Sequence, residues 1–190
     1  WEVVEAAKTK PFGFMPFYPG PGVGGHCIPA DPMYLSWKAR KVGFETKMID
    51  LAARVNINAP RHVADRVEEL LKAAGKKLKG AKILVLGVAY KKDINDLRES
   101  PALDVIKILD KKKSAWIYND SYIPYLDIHG LKSRSVKILP ELIKEQDLVI
   151  VLTDHSDVDY KLVARNAKKI FDTRNITGKL GIKGENIVKL

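Results

Sequence analysis

Ala81-Lys82-Ile83-Leu84-Val85-Leu86-Gly87-Val88-Ala89-Tyr90-Lys91-Lys92-Asp93 is the stretch at which the chain changes character. Ile83 to Leu86 is an unbroken apolar run, the pattern of a strand buried on both faces. A turn opens at once with Gly87. Downstream, strand and helix patterns alternate. Ser100 and Pro101 read as N-cap and first residue of a helix continued by Leu103, Ile106 and Leu109. Residues 115–118, 136–139, 147–152, 169–171 and 186–188 read as strands, and 140–145 and 160–167 as helices. Alternating buried strands and helices predict an α/β fold, a parallel sheet covered on both faces. The turn after the first strand is where such a sheet binds ligands. It lacks Gly-x-Gly-x-x-Gly and so does not read as a dinucleotide fingerprint; Tyr90, Lys91 and Lys92 suit a charged diphosphate instead.

Upstream the pattern is helical. Residues 1–9 read as the tail of a helix, and 10–17 as a stiff loop of prolines and aromatics that packs against something. A helix follows Cys27, with Pro29 and Pro32 in its first turn, and ends at Gly43. Another begins near Thr46, with Ile49, Ala52, Ala53 and Asn56 on one face; Asn58 and Pro60 restart or kink it. Val63, Val67, Leu70, Leu71 and Ala74 then form an apolar stripe ended by Gly75. With so little chain around them, these helices are expected to bury their stripes against a partner subunit or a preceding part of the protein. Residues 76–80 read as a linker. The expected division is a helical region, 1–78, and a sheet domain, 79–190.

The chain has 190 residues and begins at Trp1 within an apparent helix, so it is expected to be the C-terminal part of something longer. No apolar run approaches the roughly 20 residues of a membrane helix, and no signal-peptide pattern is present, so no membrane association is expected. One cysteine cannot close an intrachain disulfide, which predicts a cytoplasmic protein. His26, His62, His129 and His155 lie far apart, none at a zinc-like spacing from Cys27, so no metal is expected. The net charge of +10 comes largely from scattered lysines at element ends. Without aromatic and basic residues interleaved, it predicts solvated faces and a phosphate-bearing ligand, not nucleic acid.

The chemistry concentrates in residues 18–31, Tyr18-Pro19-Gly20-Pro21-Gly22-Val23-Gly24-Gly25-His26-Cys27-Ile28-Pro29-Ala30-Asp31. Glycine lets backbone amides approach a ligand closely. A thiol beside such a loop, at the start of a helix, suits a nucleophile, and a nearby carboxylate can activate water. Cys27 and Asp31 are therefore candidate catalytic residues.

Two motifs, Gly22-Val23-Gly24-Gly25-His26-Cys27-Ile28-Pro29-Ala30-Asp31-Pro32 and residues 87–100, resemble the UDP-glucose/GDP-mannose dehydrogenase family of nucleotide-sugar 6-dehydrogenases. The resemblance covers essentially the whole chain and is nearest to the UDP-N-acetylhexosamine branch. It implies a central helical dimerisation region followed by a C-terminal Rossmann-like domain for the UDP-sugar. An NAD-binding domain and a catalytic lysine would lie upstream. It further implies that Cys27 is the nucleophile carrying thiohemiacetal and thioester, and that Asp31 helps activate water. Tyr18, Gly20, Gly22 and Gly24 would hold sugar and diphosphate. Tyr90 and Lys91 would contact the nucleotide sugar, Arg174 corresponds to a substrate arginine, and Arg98 would reach the NAD. The implied partners are a UDP-sugar and a second copy of the chain, as a homodimer. Two positions depart from the family. Ala30 stands where UDP-glucose and GDP-mannose enzymes usually have lysine, and Pro11 where some relatives bring an arginine from the neighbouring subunit, leaving Lys8 or Lys10 to serve.

Plainer readings stand beside these. A lone cysteine is commonly a small buried hydrophobe. Asp31 before Pro32 can be an N-cap, and Pro32 disfavours helical backbone at Asp31. Lys91 and Lys92 can be solvated, Tyr90 can pack under the turn, and Arg98 can pair with Asp96 or Glu99. His26, adjacent to Cys27, is not expected to face it. Thr153-Asp154-His155-Ser156 is expected first to cap a helix and second to contact the nucleotide. The alternatives to an oxidoreductase of UDP-N-acetylhexosamine are a UDP-glucose enzyme, an inactive dimerisation and UDP-sugar-binding module, and, more distantly, a cysteine hydrolase.

Overall fold

The computed structural model describes residues 1–128 and 130–190. His129, one of the histidines weighed as a metal ligand, lies outside them. Helices α1 (Glu2–Ala7), α2 (Cys27–Lys41) and α3 (Lys47–Ala73) precede the sheet. Strand β1 (Lys82–Leu86), helix α4 (Pro101–Lys111) and strand β2 (Ala115–Asn119) follow. The hairpin β3 (Tyr125–Ile128) and β4 (Leu131–Arg134) leads to α5 (Pro140–Glu145). The chain closes with β5 (Leu148–Val151), α6 (Tyr160–Asn166), β6 (Ile170–Asp172), α7 (Ile176–Lys179) and β7 (Ile187–Lys189).

The expected parallel sheet is present, five strands in the order β2-β1-β5-β6-β7, every pair parallel. Successive residues of its central strands feed opposite cores. Ile83, Val85, Leu148 and Ile150 face the core that holds α4, while Leu84, Leu86, Val149 and Val151 face the core of α5 and α6. That two-sided burial is why these runs show no alternation. From β1 the chain crosses to β2 on one side, and β5 lies on the other. The carboxyl ends of β1 and β5 therefore flank a topological switch point.

Five expectations are corrected. Residues 136–139 are not a strand: Ser135 alone bridges to Tyr118, and Val136 N donates to Tyr118 O at 2.8 Å. The second helical pattern is not interrupted at Asn58 or Pro60; α3 runs through both. Pro32 lies inside α2, beyond its first turn. Of the stripe on α3, Val63, Val67, Leu70 and Leu71 are buried inside this chain against α4, not against a partner, and Ala74 is exposed. Burying a valine or leucine contributes about 2 kcal/mol, so this half of α3 belongs to the sheet's core. The first half is different: Met48, Leu51, Val55 and Ile57 are exposed. So are Phe12, Met15 and Phe17 of the loop expected to be packed. Among the described residues no helix is long and apolar enough to cross a membrane.

Candidate active site

The turn after β1 is built around a buried carboxylate. Asp120, just past β2, is fully enclosed. Its Oδ2 accepts from Val88 N at 2.8 Å and Ala89 N at 3.0 Å, and its Oδ1 from Tyr122 N at 2.9 Å and Ile123 N at 3.1 Å. His155, equally buried, brings Nε2 to 3.0 Å from Asp120 Oδ2. The other ring nitrogen, Nδ1, accepts from Asp93 N at 2.9 Å, so Nε2 carries the proton toward Asp120. Burial alone would push Asp120 up. The hydrogen bonds from His155 and from the Val88 and Ala89 amides outweigh it and hold the carboxyl below its ordinary value. Ser156 closes the arrangement, donating through N and Oγ to Asp93 at 2.7 and 2.6 Å. Thr153 Oγ1 donates to Ala89 O at 2.6 Å. The segment 153–156 therefore ties loops together; the N-cap of α6 is Asp159, whose side chain accepts from Leu162 N. That corrects the capping expectation.

With the turn fixed, residues 90–100 fold back as a ledge. Tyr90 N donates to Asp96 O at 3.0 Å, and Ser100 Oγ donates to Val88 O at 2.7 Å instead of capping its own helix. Glu99 takes φ +47°, an uncommon conformation for a residue with a side chain. The loop of residues 22–25 lies on this ledge. Gly25 N donates to Arg98 O at 3.0 Å. A Cβ on Gly24 would stand 2.4 Å from Glu99 O and 2.9 Å from both Pro101 Cδ and Tyr90 Cβ, so only glycine fits. Tyr90 packs with its ring against Gly25 of the glycine loop, a contact that the reading of Tyr90 as packing under its own turn did not name.

Between loop and ledge runs an open cleft of about 660 Å³, lined by residues 22–28 with Tyr90, Lys91, Arg98 and Arg174. Seven residues singled out from the sequence therefore border one space: Gly22, Gly24, Cys27, Tyr90, Lys91, Arg98 and Arg174. Cys27 is exposed and opens α2, so the helix's free amide end and positive dipole pole lie at the thiol. His26 Nδ1 lies 3.8 Å from Sγ, so the two adjacent side chains do meet. Arg98 is paired as anticipated. Its Nη2 donates to Asp96 Oδ2 at 2.6 Å and its Nε to both carboxylate oxygens. That pairing holds the guanidinium above its ordinary value, with Tyr90 and Cys27 adding to it, and holds Asp96 below the usual carboxylate range. Arg174 is half-buried, its Nε donating to Leu152 O at 2.8 Å and its backbone N to Asp172 Oδ1 at 3.0 Å. Burial draws its guanidinium below the ordinary value, with Asp154 acting the other way.

The remaining candidates fall elsewhere. Asp31 is exposed and does not line the cleft, yet it is no N-cap: α2 starts at Cys27 and runs through Pro32. Cys27 and Asp31 thus stand one turn apart on one helix. Gly20 abuts Arg174, where a Cβ would come within 2.8 Å of Nη1. Tyr18 turns away from the cleft. Its hydroxyl donates to Glu5 Oε1 at 3.0 Å, and its ring stacks on Trp1 at 5.9 Å and receives Lys179 at 5.8 Å. Three residues escaped the sequence reading as parts of the site: Asp120, His155 and Asn56, which binds the glycine loop from α3. Only the buried histidine within residues 153–156 carried any prior signal.

Comparison with known proteins finds relatives of both halves of the chain. The sequence profile described as "UDP-glucose/GDP-mannose dehydrogenase family, UDP binding domain" matches residues 84–179, and that family's "central domain" matches residues 1–58. The UDP-N-acetyl-D-mannosamine dehydrogenase of Campylobacter jejuni is 36% identical over 160 residues, 83% of this chain and 37% of the relative. That of Methanococcus maripaludis strain S2 is 33% identical over 184 residues, 93% and 40% respectively. Among solved structures, the UDP-D-ManNAc dehydrogenase of Pyrococcus horikoshii superposes with a TM-score of 0.76 at 30% identity, over 98% of this chain and 41% of that one. The NDP-N-acetyl-D-galactosaminuronic acid dehydrogenase of Methanosarcina mazei gives a TM-score of 0.79 at 26% identity, over 100% and 43%. The chain thus spans about 40% of the length of the relatives it matches.

Proposed function

This chain belongs to the UDP-glucose/GDP-mannose dehydrogenase family, and on that footing we propose that it supplies the nucleophile and the UDP-sugar side of an NAD-dependent 6-dehydrogenase acting on a UDP-N-acetylhexosamine. The observation that carries the reading is the cleft in which Cys27 meets Tyr90, Lys91, Arg98 and Arg174 at the carboxyl end of the sheet. Cationic groups there suit a diphosphate, and the thiol beside them suits a carbonyl at the sugar's C6.

NAD supplies the two oxidations when bound. The residues present do not form its site: the first turn has no glycine fingerprint, and its Val88 and Ala89 amides are already taken by Asp120. Arg98 is the residue assigned to reach the cofactor. The chain's own part is as follows. Gly22, Gly24 and the loop backbone orient sugar and diphosphate, with Tyr18 and Gly20 assigned to the same segment. The Cys27 thiolate adds to the C6 aldehyde to give a thiohemiacetal; the second of the two oxidations that bound NAD would supply leaves the thioester, onto which Asp31, one turn along α2, directs water. Water's hydroxyl goes to the acyl carbon and its other proton to the departing sulfur, giving the thiol and the carboxylic acid, which ionises to the carboxylate in solvent. In this reading residues 1–78 are the central region, which pairs two copies through the exposed half of α3, and 79–190 hold the nucleotide sugar. The lone thiol supports a cytoplasmic setting.

Calorimetry on the chain tests this directly. UDP-N-acetylglucosamine should bind and NAD should not. NAD binding without UDP-sugar binding would overturn the assignment. In any longer form of the protein that carries a dinucleotide-binding domain, Cys27→Ser should abolish NADH production, and Asp31→Asn should let acyl-enzyme accumulate on Cys27, visible by intact-protein mass spectrometry.

A further inference from the structure

Asn56 lies on α3, outside the cleft, yet both ends of its side chain are committed to one residue of the glycine loop. Its Oδ1 accepts from Val23 N at 2.7 Å, and its Nδ2 donates to Val23 O at 3.1 Å. A primary amide placed this way satisfies a backbone donor and acceptor together, as a neighbouring strand would. The loop needs such a fixture. Gly22, Gly24 and Gly25 surround Val23, and glycine gives up more conformational freedom on ordering than any other residue. The second tie, Gly25 N to Arg98 O, lies on the far side of Gly24, and Cys27 follows two residues later.

The clamp is also anchored at its other end. Val63, Val67, Leu70 and Leu71 of the same helix are buried in the sheet's core. One rigid element therefore sets the loop's position relative to the domain that carries Tyr90, Lys91 and Arg174.

We propose that Asn56 is a positioning residue: it fixes the backbone of residues 22–25, and with it the Cys27 thiol, in binding geometry before a ligand arrives. Preorganisation of this kind moves the ordering cost from binding to folding. The functional half of the proposal rests on the nucleotide-sugar reading; the clamp itself does not.

The test compares the wild-type chain with Asn56→Ala and Asn56→Gln. Amide exchange followed by NMR should show the Val23 N–H exchanging at least about tenfold faster in Asn56→Ala, with partial recovery in Asn56→Gln, which keeps both polar groups on a longer arm. The amides of Val63, Val67 and Leu71 should be unchanged. Binding of UDP-N-acetylglucosamine should weaken about tenfold in Asn56→Ala. Equal Val23 exchange in all three proteins, or a matching acceleration at Val63 and Val67, would overturn the proposal, as would unchanged affinity in a variant that binds. If Asn56→Ala does not fold, Asn56→Gln against wild type gives the same comparison. Failure of the wild-type chain to bind the UDP-sugar would count against the nucleotide-sugar reading alone, and the exchange rates would still decide on Asn56.

Discussion

His155 Nε2 stands 3.0 Å from Asp120 Oδ2, and both side chains are closed to solvent. A buried carboxylate is tolerable only with its lone pairs filled, and here four backbone amides and an imidazole fill them. Asp120→Asn would put an NH2 group against some of those donors. Its unfolding free energy, from urea titration at neutral pH, should fall by about 3 kcal/mol. The loss should depend on pH with a definite sign. The folded-state value of Asp120 lies below the ordinary 3.8, so its contribution is complete above that value and fades as pH falls through the depressed one. The gap between wild type and variant should therefore narrow below about pH 4; a gap of the same size at pH 7 and pH 3 would contradict this origin.

Gly24 and Gly13 offer a controlled pair. A Cβ on Gly24 meets Glu99 O at 2.4 Å, whereas one on Gly13 meets nothing within 4 Å. Gly24→Ala should lift the loop from its ledge, weakening UDP-sugar binding at least about tenfold and costing about 1–3 kcal/mol of stability. Gly13→Ala, at φ +71°, should show only the backbone strain of about 1 kcal/mol and unchanged binding. Equal binding losses in the two would remove the close approach as the cause.

Arg98 is exposed, and its partner is two residues away, so removing it should leave the melting temperature unchanged. Its value should lie in chemistry instead. In a longer form with a dinucleotide-binding domain, Arg98→Ala should lower NADH production more than tenfold, with UDP-sugar affinity held within about threefold. The opposite split, with affinity lost and turnover kept, would reassign Arg98 to the sugar.

Val67 and Val55 lie on the two halves of α3. Val67 is 0% exposed and Val55 64% exposed. Val67→Ala should cost about 2–3 kcal/mol and Val55→Ala less than about 0.5 kcal/mol, both read from urea midpoints at constant slope. Similar costs would mean that the exposed half is covered in solution, as pairing of two copies would cover it.

Where the sequence could be read, the signal was local. The runs at β1 and β5 are apolar at every position because both faces are covered, and the glycine and lysine motifs name their cleft residues directly. What was missed depends on partners distant in the chain. Asp120 meets His155 across 35 residues, and Asn56 meets Val23 across 33. No periodicity marks either contact. The hairpin of β3 and β4 escaped because Asp127, Lys132 and Arg134 interrupt any strand pattern. Pro60 argued for a restart or kink and Pro32 against helical backbone at Asp31, yet α3 and α2 run through both; in α3 the packing of Val63, Val67 and Leu71 outweighs the loss of one hydrogen bond.

The stretch of α3 between Asn56 and Val63 acts as a gauge. The seven-residue step from Asn56 to Val63 makes close to two turns, about 10 Å of rise, and leaves the clamp and the first core residue on the same side of the helix. Substitutions at the solvent-facing positions in between cost little. A single inserted or deleted residue would swing Asn56 by about 100° around the axis and carry it away from Val23 while the core below stayed packed. The spacing, more than the identity of the intervening residues, is what descent in this lineage must preserve.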